Sequence, residues 1–279
     1  MKKIGFVDYY ISEWHANNYP VWIKEICEKT GEEFCIAYAW AERYDSPFDG
    51  RNTDEWCKDF GAEKCETIQE LCEKSDYILV LSPSNPEKHL QYASEVLKYK
   101  KNTYIDKTFA PDYASAKKIF DIAAENGTAF FSSSALRYGT ELDALVGGDA
   151  VITKGGGSNI DEYIIHQIEM LVKLIDEKPT AVRVEAQGKQ YVCSVEFEAG
   201  KKGTMLFASS FPFEINVEKN GQTVTKTVSS DFFKLLLADI LRFYSTGEAS
   251  FNTAQTLDII KIREAVVLGK DRLGEWISL

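Results

Sequence analysis

Two α/β domains are expected in this chain of 279 residues, a doubly wound parallel sheet followed by a largely antiparallel open sheet backed by helices. Apolar runs without alternation, such as Tyr77-Ile78-Leu79-Val80-Leu81, belong to parallel strands covered on both faces. Up to residue 134 such runs alternate with amphipathic helices, the order of a doubly wound sheet. Beyond residue 135 the strands alternate only partially, and Asn220-Gly221 is a two-residue hairpin signal.

The first strand is expected over Lys3 to Val7. A helix from about Glu13 to Thr30 then turns Trp22, Ile23 and Ile26 to the sheet and stops at Gly31. Glu33 to Tyr38 makes the second strand, followed by a charged loop through Arg43, Asp45, Asp49 and Arg51 that is long for a βα connection. Such a loop is read either as functional or as a solvated excursion. A helix holding Ile68, Leu71 and Cys72 precedes the Tyr77 strand, which ends at Ser82-Pro83-Ser84-Asn85-Pro86. The next helix carries Leu90, Ala93, Val96 and Leu97 on one stripe, and the chain returns as Thr103-Tyr104-Ile105 into Asp106-Lys107-Thr108. Asp112 to Asn126, closed by Gly127, feeds a last strand over Thr128 to Ser132.

In the second half, Gly155-Gly156-Gly157 reads as a flexible connector before a helix from Asp161 to Ile175, whose stripe Ile164, Ile168, Leu171, Val172 and Ile175 faces a core. No lysine-serine or lysine-threonine pair follows the glycines, which argues against a phosphate loop. Strands are expected over Thr180 to Ala186, Gln190 to Phe197, Gly203 to Ser210 and Glu214 to Glu218. Two helices close the chain, Phe232 to Tyr244 and one after Asn252, where Asn252 and Gln255 resemble a capping box. The domains are drawn at 1–134 and 135–279, with the closing helix packing back on the first.

The net charge of −11 argues against an electrostatic grip on phosphate backbones or anionic membranes, so neither nucleic acid nor a membrane is expected as a partner. No apolar run approaches the roughly 20 residues that span a bilayer, and Asp8 breaks the first apolar segment before it reaches the length of a secretory core, which points to the cytoplasm. Six cysteines without a C-x-x-C pair read as free thiols, and three scattered histidines give no metal site.

Ligands in open α/β sheets bind beyond the carboxyl ends of the strands, which puts the Ser82 loop and Lys107 at one crevice. A partly desolvated lysine there can donate to a substrate oxygen on which charge develops; a surface lysine capping a loop is the plain alternative. On the Asp161 helix, Glu162, His166, Glu169 and Lys173 share a second stripe, which taken alone is a solvated face. Arg137 fits either an anionic or hydroxylated ligand or a salt bridge.

The order of strand, Pro83, His89, helix, strand and Asp106-Lys107-Thr108 resembles the Gfo/Idh/MocA oxidoreductases, whose pattern there is a Thr-Pro loop, a histidine and Glu-Lys-Pro. Glu162, His166 and Glu169 reproduce the spacing of that family's Asp-x-x-x-His-x-x-Asp with glutamates. The resemblance implies a Rossmann-type dinucleotide domain, a substrate domain whose open sheet mediates a homo-oligomer (a dimer or tetramer), and NAD or NADP as cofactor. It implies Lys107 and His166, the latter steadied by Glu162, as the catalytic groups, Arg137 and Tyr138 near the substrate, and a mostly structural His89. The expected substrate is a small molecule, a sugar, cyclitol or related hydroxy compound. Asp8, Tyr9, Tyr10, Glu42, Ser82, Pro83, Asn85 and Asp106 fall where the cofactor would lie.

The chain is a short, divergent example in one respect above all. Where G-x-G-x-x-G would follow the first strand it reads Val7-Asp8-Tyr9-Tyr10-Ile11-Ser12-Glu13, replacing glycines with bulk and negative charge. A non-redox protein on the same fold, either a cofactor-free enzyme or a ligand-binding or regulatory protein with a degenerate nucleotide site, is the alternative.

Overall fold

A computed structural model describes residues 1–279, and the chain divides into two units, 1–132 with 236–253 and 133–235 with 254–279. The first unit is built on β1 (Lys2–Asp8), α1 (Trp14–Thr30), β2 (Phe34–Ala41), α2 (Thr53–Phe60), β3 (Glu63–Lys64), α3 (Ile68–Lys74), β4 (Tyr77–Val80), α4 (His89–Val96), β5 (Thr103–Ile105), α5 (Tyr113–Asn126) and β6 (Phe130–Phe131). Its six strands run parallel in the order β3-β2-β1-β4-β5-β6, the doubly wound arrangement read from the sequence. Ile4, Phe6 and Val7 of β1 and Ile78, Leu79 and Val80 of β4 are fully buried on both faces, which is why their sequences do not alternate.

Local chemistry sets the helix ends. Glu13 is extended and caps α1, which stops at Gly31 with φ +76°. The charged loop after β2 gives way to α2, which the sequence reading missed; Asn52 and Glu55 form a reciprocal capping box that seats Trp56 and Cys57 in the core.

The second unit contains β7 (Ala150–Gly155), α6 (Ile160–Ile175), β8 (Pro179–Gln187), β9 (Gln190–Phe197), β10 (Lys202–Phe207), β11 (Glu214–Lys219) and β12 (Gln222–Thr227); α7 (Phe232–Thr246), α8 (Gln255–Gly269) and β13 (Trp276–Ser278) follow. Its seven strands are ordered β12-β11-β7-β10-β9-β8-β13 and are antiparallel except for β7 beside β10. Asn220 and Gly221, both at positive φ, make the expected two-residue turn between β11 and β12. Helices α6 and α8 pack against each other and against this sheet.

Two expectations are corrected here, on the glycine run and on the last helix's cap. Gly155-Gly156-Gly157 is not a flexible connector: Gly155 ends β7, and a Cβ on Gly156 would lie 2.3 Å from the Ala208 carbonyl, so close backbone approach selects the glycine. Asn252 does not cap the last helix, which begins at Gln255 after Ala254 with no side-chain cap. The late helix that joins the first unit is α7, from Leu236 on, where the Tyr244 hydroxyl donates to the Ile78 carbonyl at 2.7 Å; α8 belongs to the second unit. No helix is long and apolar enough to cross a membrane.

Candidate functional site

The carboxyl ends of β1, β2, β4 and β5 bring most of the sequence-derived residues of the first unit together. Asp8, at the tip of β1, accepts from the Tyr9 amide at 2.7 Å and from the Ser82 hydroxyl at 3.1 Å. Ser82, beyond β4 at φ +68°, in turn accepts from the Tyr9 amide at 2.9 Å. Glu42, past the tip of β2, is engaged on both oxygens, by Lys88 Nζ at 2.5 Å and by the Tyr92 hydroxyl at 2.8 Å. The Lys88 ammonium holds that carboxyl below its ordinary pKa and also lies 5.0 Å from the centre of the Tyr9 ring. Tyr9 and Tyr10 meet edge to face at 5.8 Å. Asn85 donates to Glu87 at 2.9 Å.

Asp106 and Lys107 follow β5. The Lys107 amide donates to Asp106 at 2.9 Å, and its half-buried ammonium reaches the Pro83 carbonyl at 3.5 Å, so the lysine spans the two loops after β4 and β5. The Lys107–Thr108 peptide is cis. His89 ties the same loops from below: fully buried, it faces the Leu81 carbonyl with Nε2 and the Phe109 carbonyl with Nδ1, and burial lowers its pKa.

A residue the sequence reading passed over lies at the centre of this corner. His15, in the first turn of α1, pairs through Nδ1 with the buried carboxylate of Asp106 and stacks on Tyr19 with ring centres 5.1 Å apart. Its amide donates to Glu13 at 2.8 Å, and the Ala16 amide donates to the other oxygen of the same carboxylate. Three carboxyl groups, Asp8, Glu13 and Asp106, are thus buried close enough to act on one another, with the imidazole paired to Asp106. Burial pushes the Asp8 carboxyl well above its ordinary range, with the charge of Glu13 adding to it; burial also raises Glu13, which His15 and the two amides offset in part. Asp106 feels the same burial, but the charge and hydrogen bond of His15 outweigh it and hold that carboxyl below its usual value.

These residues also test the corner against a dinucleotide. In this fold the pyrophosphate lies over the start of the first helix, held by backbone amides. Here the amides of His15 and Ala16 already donate to the chain's own carboxylate, and Asp8 stands where a glycine would let the phosphates approach. The corner does not fit a pyrophosphate in the ordinary way.

A second cluster lies within the second unit. The stripe on α6 is not solvated: His166 and Glu169 are buried, and Ser134 in the loop before the strand β7 meets His166 Nδ1 at 2.6 Å. Glu169 accepts from the Ser134 amide at 2.9 Å and pairs with Arg137 at 3.2 Å. Arg137, itself buried, also donates to Gln255, so the salt-bridge alternative describes its guanidinium. Burial raises the Glu169 carboxyl and Arg137 offsets part of that. Glu162 takes part in the start of α6, its amide donating to the Asn159 side chain at 2.9 Å, and Tyr138 is half-buried.

The model of the Gfo/Idh/MocA oxidoreductase family, described as having an NAD-binding Rossmann fold, matches residues 48–134, which bears out the resemblance read from the sequence over that segment. No curated protein matches the sequence. Among solved structures, myo-inositol dehydrogenase from Lactobacillus casei, in complex with NAD(H) and myo-inositol, superposes with a TM-score of 0.82 at 11% identity, covering 100% of this chain and 96% of that one. A probable dehydrogenase from Thermotoga maritima gives 0.79 at 12% identity, covering 99% and 98%. A putative myo-inositol dehydrogenase from Sinorhizobium meliloti gives 0.77 at 11%, covering 100% and 99%. At such identities the structural likeness carries the fold, and it bears out the two α/β architectures expected above.

Proposed function

We propose that this chain is an oxidoreductase of the Gfo/Idh/MocA kind that acts on a small hydroxylated molecule, a sugar, a cyclitol or a related compound, with NAD or NADP as its cofactor. The observation that carries this reading is the match over 48–134, a segment that contains both the Ser82 loop and the Asp106-Lys107 turn. Within it Lys107 stands at the carboxyl end of β5 with its ammonium half-exposed, in a position to donate to a substrate oxygen. His166 is the second group assigned to the chemistry, as the residue that exchanges the hydroxyl proton. Its Nδ1 is engaged by Ser134, and that contact fixes how the ring is oriented. Arg137 serves this reading by holding Glu169, which in turn accepts from the Ser134 amide beside His166, rather than by binding substrate. A second copy of the chain is the implied protein partner, meeting the open face of the second sheet, where Ile152 of β7 is exposed.

The experiment is a titration of the protein with NADH and NADPH, followed by turnover of a panel of sugars and inositols. The reading expects saturable binding of one nicotinamide and oxidation of at least one polyol, with Lys107→Ala abolishing turnover while leaving nucleotide affinity in place. Turnover unchanged in Lys107→Ala removes the lysine from the mechanism. A cofactor-free protein on the same fold is the second reading, favoured by one observation: the matched segment begins after β2 and leaves out the β1–α1 corner, where Glu13 fills the amides that a pyrophosphate would use. Absence of binding at millimolar nucleotide decides for that second reading.

A further inference from the structure

In the first unit a carboxylate of the chain sits at the one place where this fold offers its amides to an anionic ligand. Helix α1 is 17 residues long, so the dipole at its start is fully developed, and the amides nearest that start, His15 and Ala16, both donate to Glu13. An independent observation marks the same spot as unfinished. Asp8 Oδ2 is buried with no hydrogen-bond partner, as is the Tyr19 hydroxyl, and a buried polar group left in that state is unfavourable. Facing these acids are the His15 ring, paired with Asp106, and Lys107, whose amide also donates to Asp106 and whose charge helps hold that carboxyl down.

We propose that Glu13 is an internal stand-in for the cofactor's pyrophosphate: its side chain occupies the anion position of the first unit, and a dinucleotide reaches the amides of α1 only when that side chain leaves. The inference rests on the nicotinamide reading of this domain and adds to it the residue that sets its affinity. Two effects act together. The amides must be released by Glu13 before a phosphate can use them. The displaced carboxylate, with Asp8 and Asp106 close by, also repels the incoming dianion. The fold therefore binds dinucleotide weakly by its own design, and removing one charge is enough to strengthen it.

The test uses the full chain and two variants. Glu13→Gln removes the charge and keeps one acceptor oxygen, so that one of the two amides loses its partner, and Glu13→Gly opens the position at a cap where glycine is tolerated. Wild type and variants, checked for folding by circular dichroism and thermal unfolding, are titrated by calorimetry with NADH, NADPH and ADP-ribose, the last lacking the nicotinamide. Both variants are expected to tighten all three ligands by about tenfold or more, glycine more than glutamine, with ADP-ribose moving in parallel because the effect lies at the pyrophosphate. Folded variants whose affinity is unchanged, or that bind nothing, overturn the stand-in, as does a wild type that already binds in the low micromolar range. A variant that binds tightly yet turns over no polyol keeps the stand-in and rejects the oxidoreductase reading. Turnover by wild type with no effect of Glu13 does the reverse.

Discussion

In the second unit the buried Glu169 has a guanidinium on one side and a backbone amide on the other, whereas in the first unit Asp8, Glu13 and Asp106 are buried with no guanidinium between them and the His15 imidazole pairs with Asp106. Both clusters lie on the start or face of a long helix and both are sealed from water, yet they are balanced differently. In one, each charge has its complement and the cluster can serve as a rigid support for His166. In the other, acids outnumber bases and one oxygen has no partner, an arrangement that persists only where the surrounding fold over-determines it. The difference separates support from site: the balanced cluster holds something in place, and the unbalanced one is poised to exchange a partner.

The comparison breaks most visibly where balance is removed. Replacing Arg137 with methionine leaves Glu169 buried and unpaired, and should cost about 3–5 kcal/mol in urea unfolding, whereas the double variant Arg137→Met with Glu169→Leu should recover most of that. If the single variant loses less than about 1 kcal/mol, the second cluster is not a charge-balanced support. Substituting His15 by glutamine is a smaller change, because Asp106 keeps donors from the Lys107 amide and the Tyr104 hydroxyl. A loss of about 2 kcal/mol is expected in urea unfolding, because the Asp106 oxygen that His15 engages is left buried without that donor. A variant as stable as wild type would mean that the His15–Asp106 pair does not hold the corner together.

The same contrast explains what the sequence made legible. Parallel strands buried on both faces announce themselves as unbroken apolar runs, and the rule that ligands gather at strand carboxyl ends led to Ser82 and Lys107 before any coordinates. Helix α2 was hidden because charged residues dominate its eight positions, although the Asn52-x-x-Glu55 spacing before Trp56 was a usable sign of its start. Strand β7 is short and follows paired glycines, so its apolar residues were too few to separate from a loop. The stripe of Glu162, His166 and Glu169 looked solvated because periodicity reports which residues share a face, not that Arg137 from another segment will cover it. His15 escaped for a like reason: its partner Asp106 lies 91 residues away, and only the glutamate two positions before it hinted at an unusual helix start.

The smallest expected effect sharpens the comparison from the acid side. The Asp8 carboxyl is raised by burial first and by Glu13 second, so its folded pKa lies above the unfolded value near 3.9. A carboxyl shifted in that direction contributes stability that is fully present below the unfolded value and is lost as pH rises through the folded one. At neutral pH the ionised form, or the proton it must retain, is therefore a cost to the fold. Asp8→Asn keeps the oxygen that accepts from Tyr9 and Ser82 and puts a neutral amide nitrogen where the unpartnered oxygen lies. Thermal unfolding should show the variant more stable than wild type by about 1 kcal/mol at neutral pH, with the advantage fading below about pH 4, where both proteins carry a neutral group. A variant no more stable at either pH would mean that Asp8 is as well matched as Glu169, and the acid excess of the first corner would cease to distinguish the two clusters.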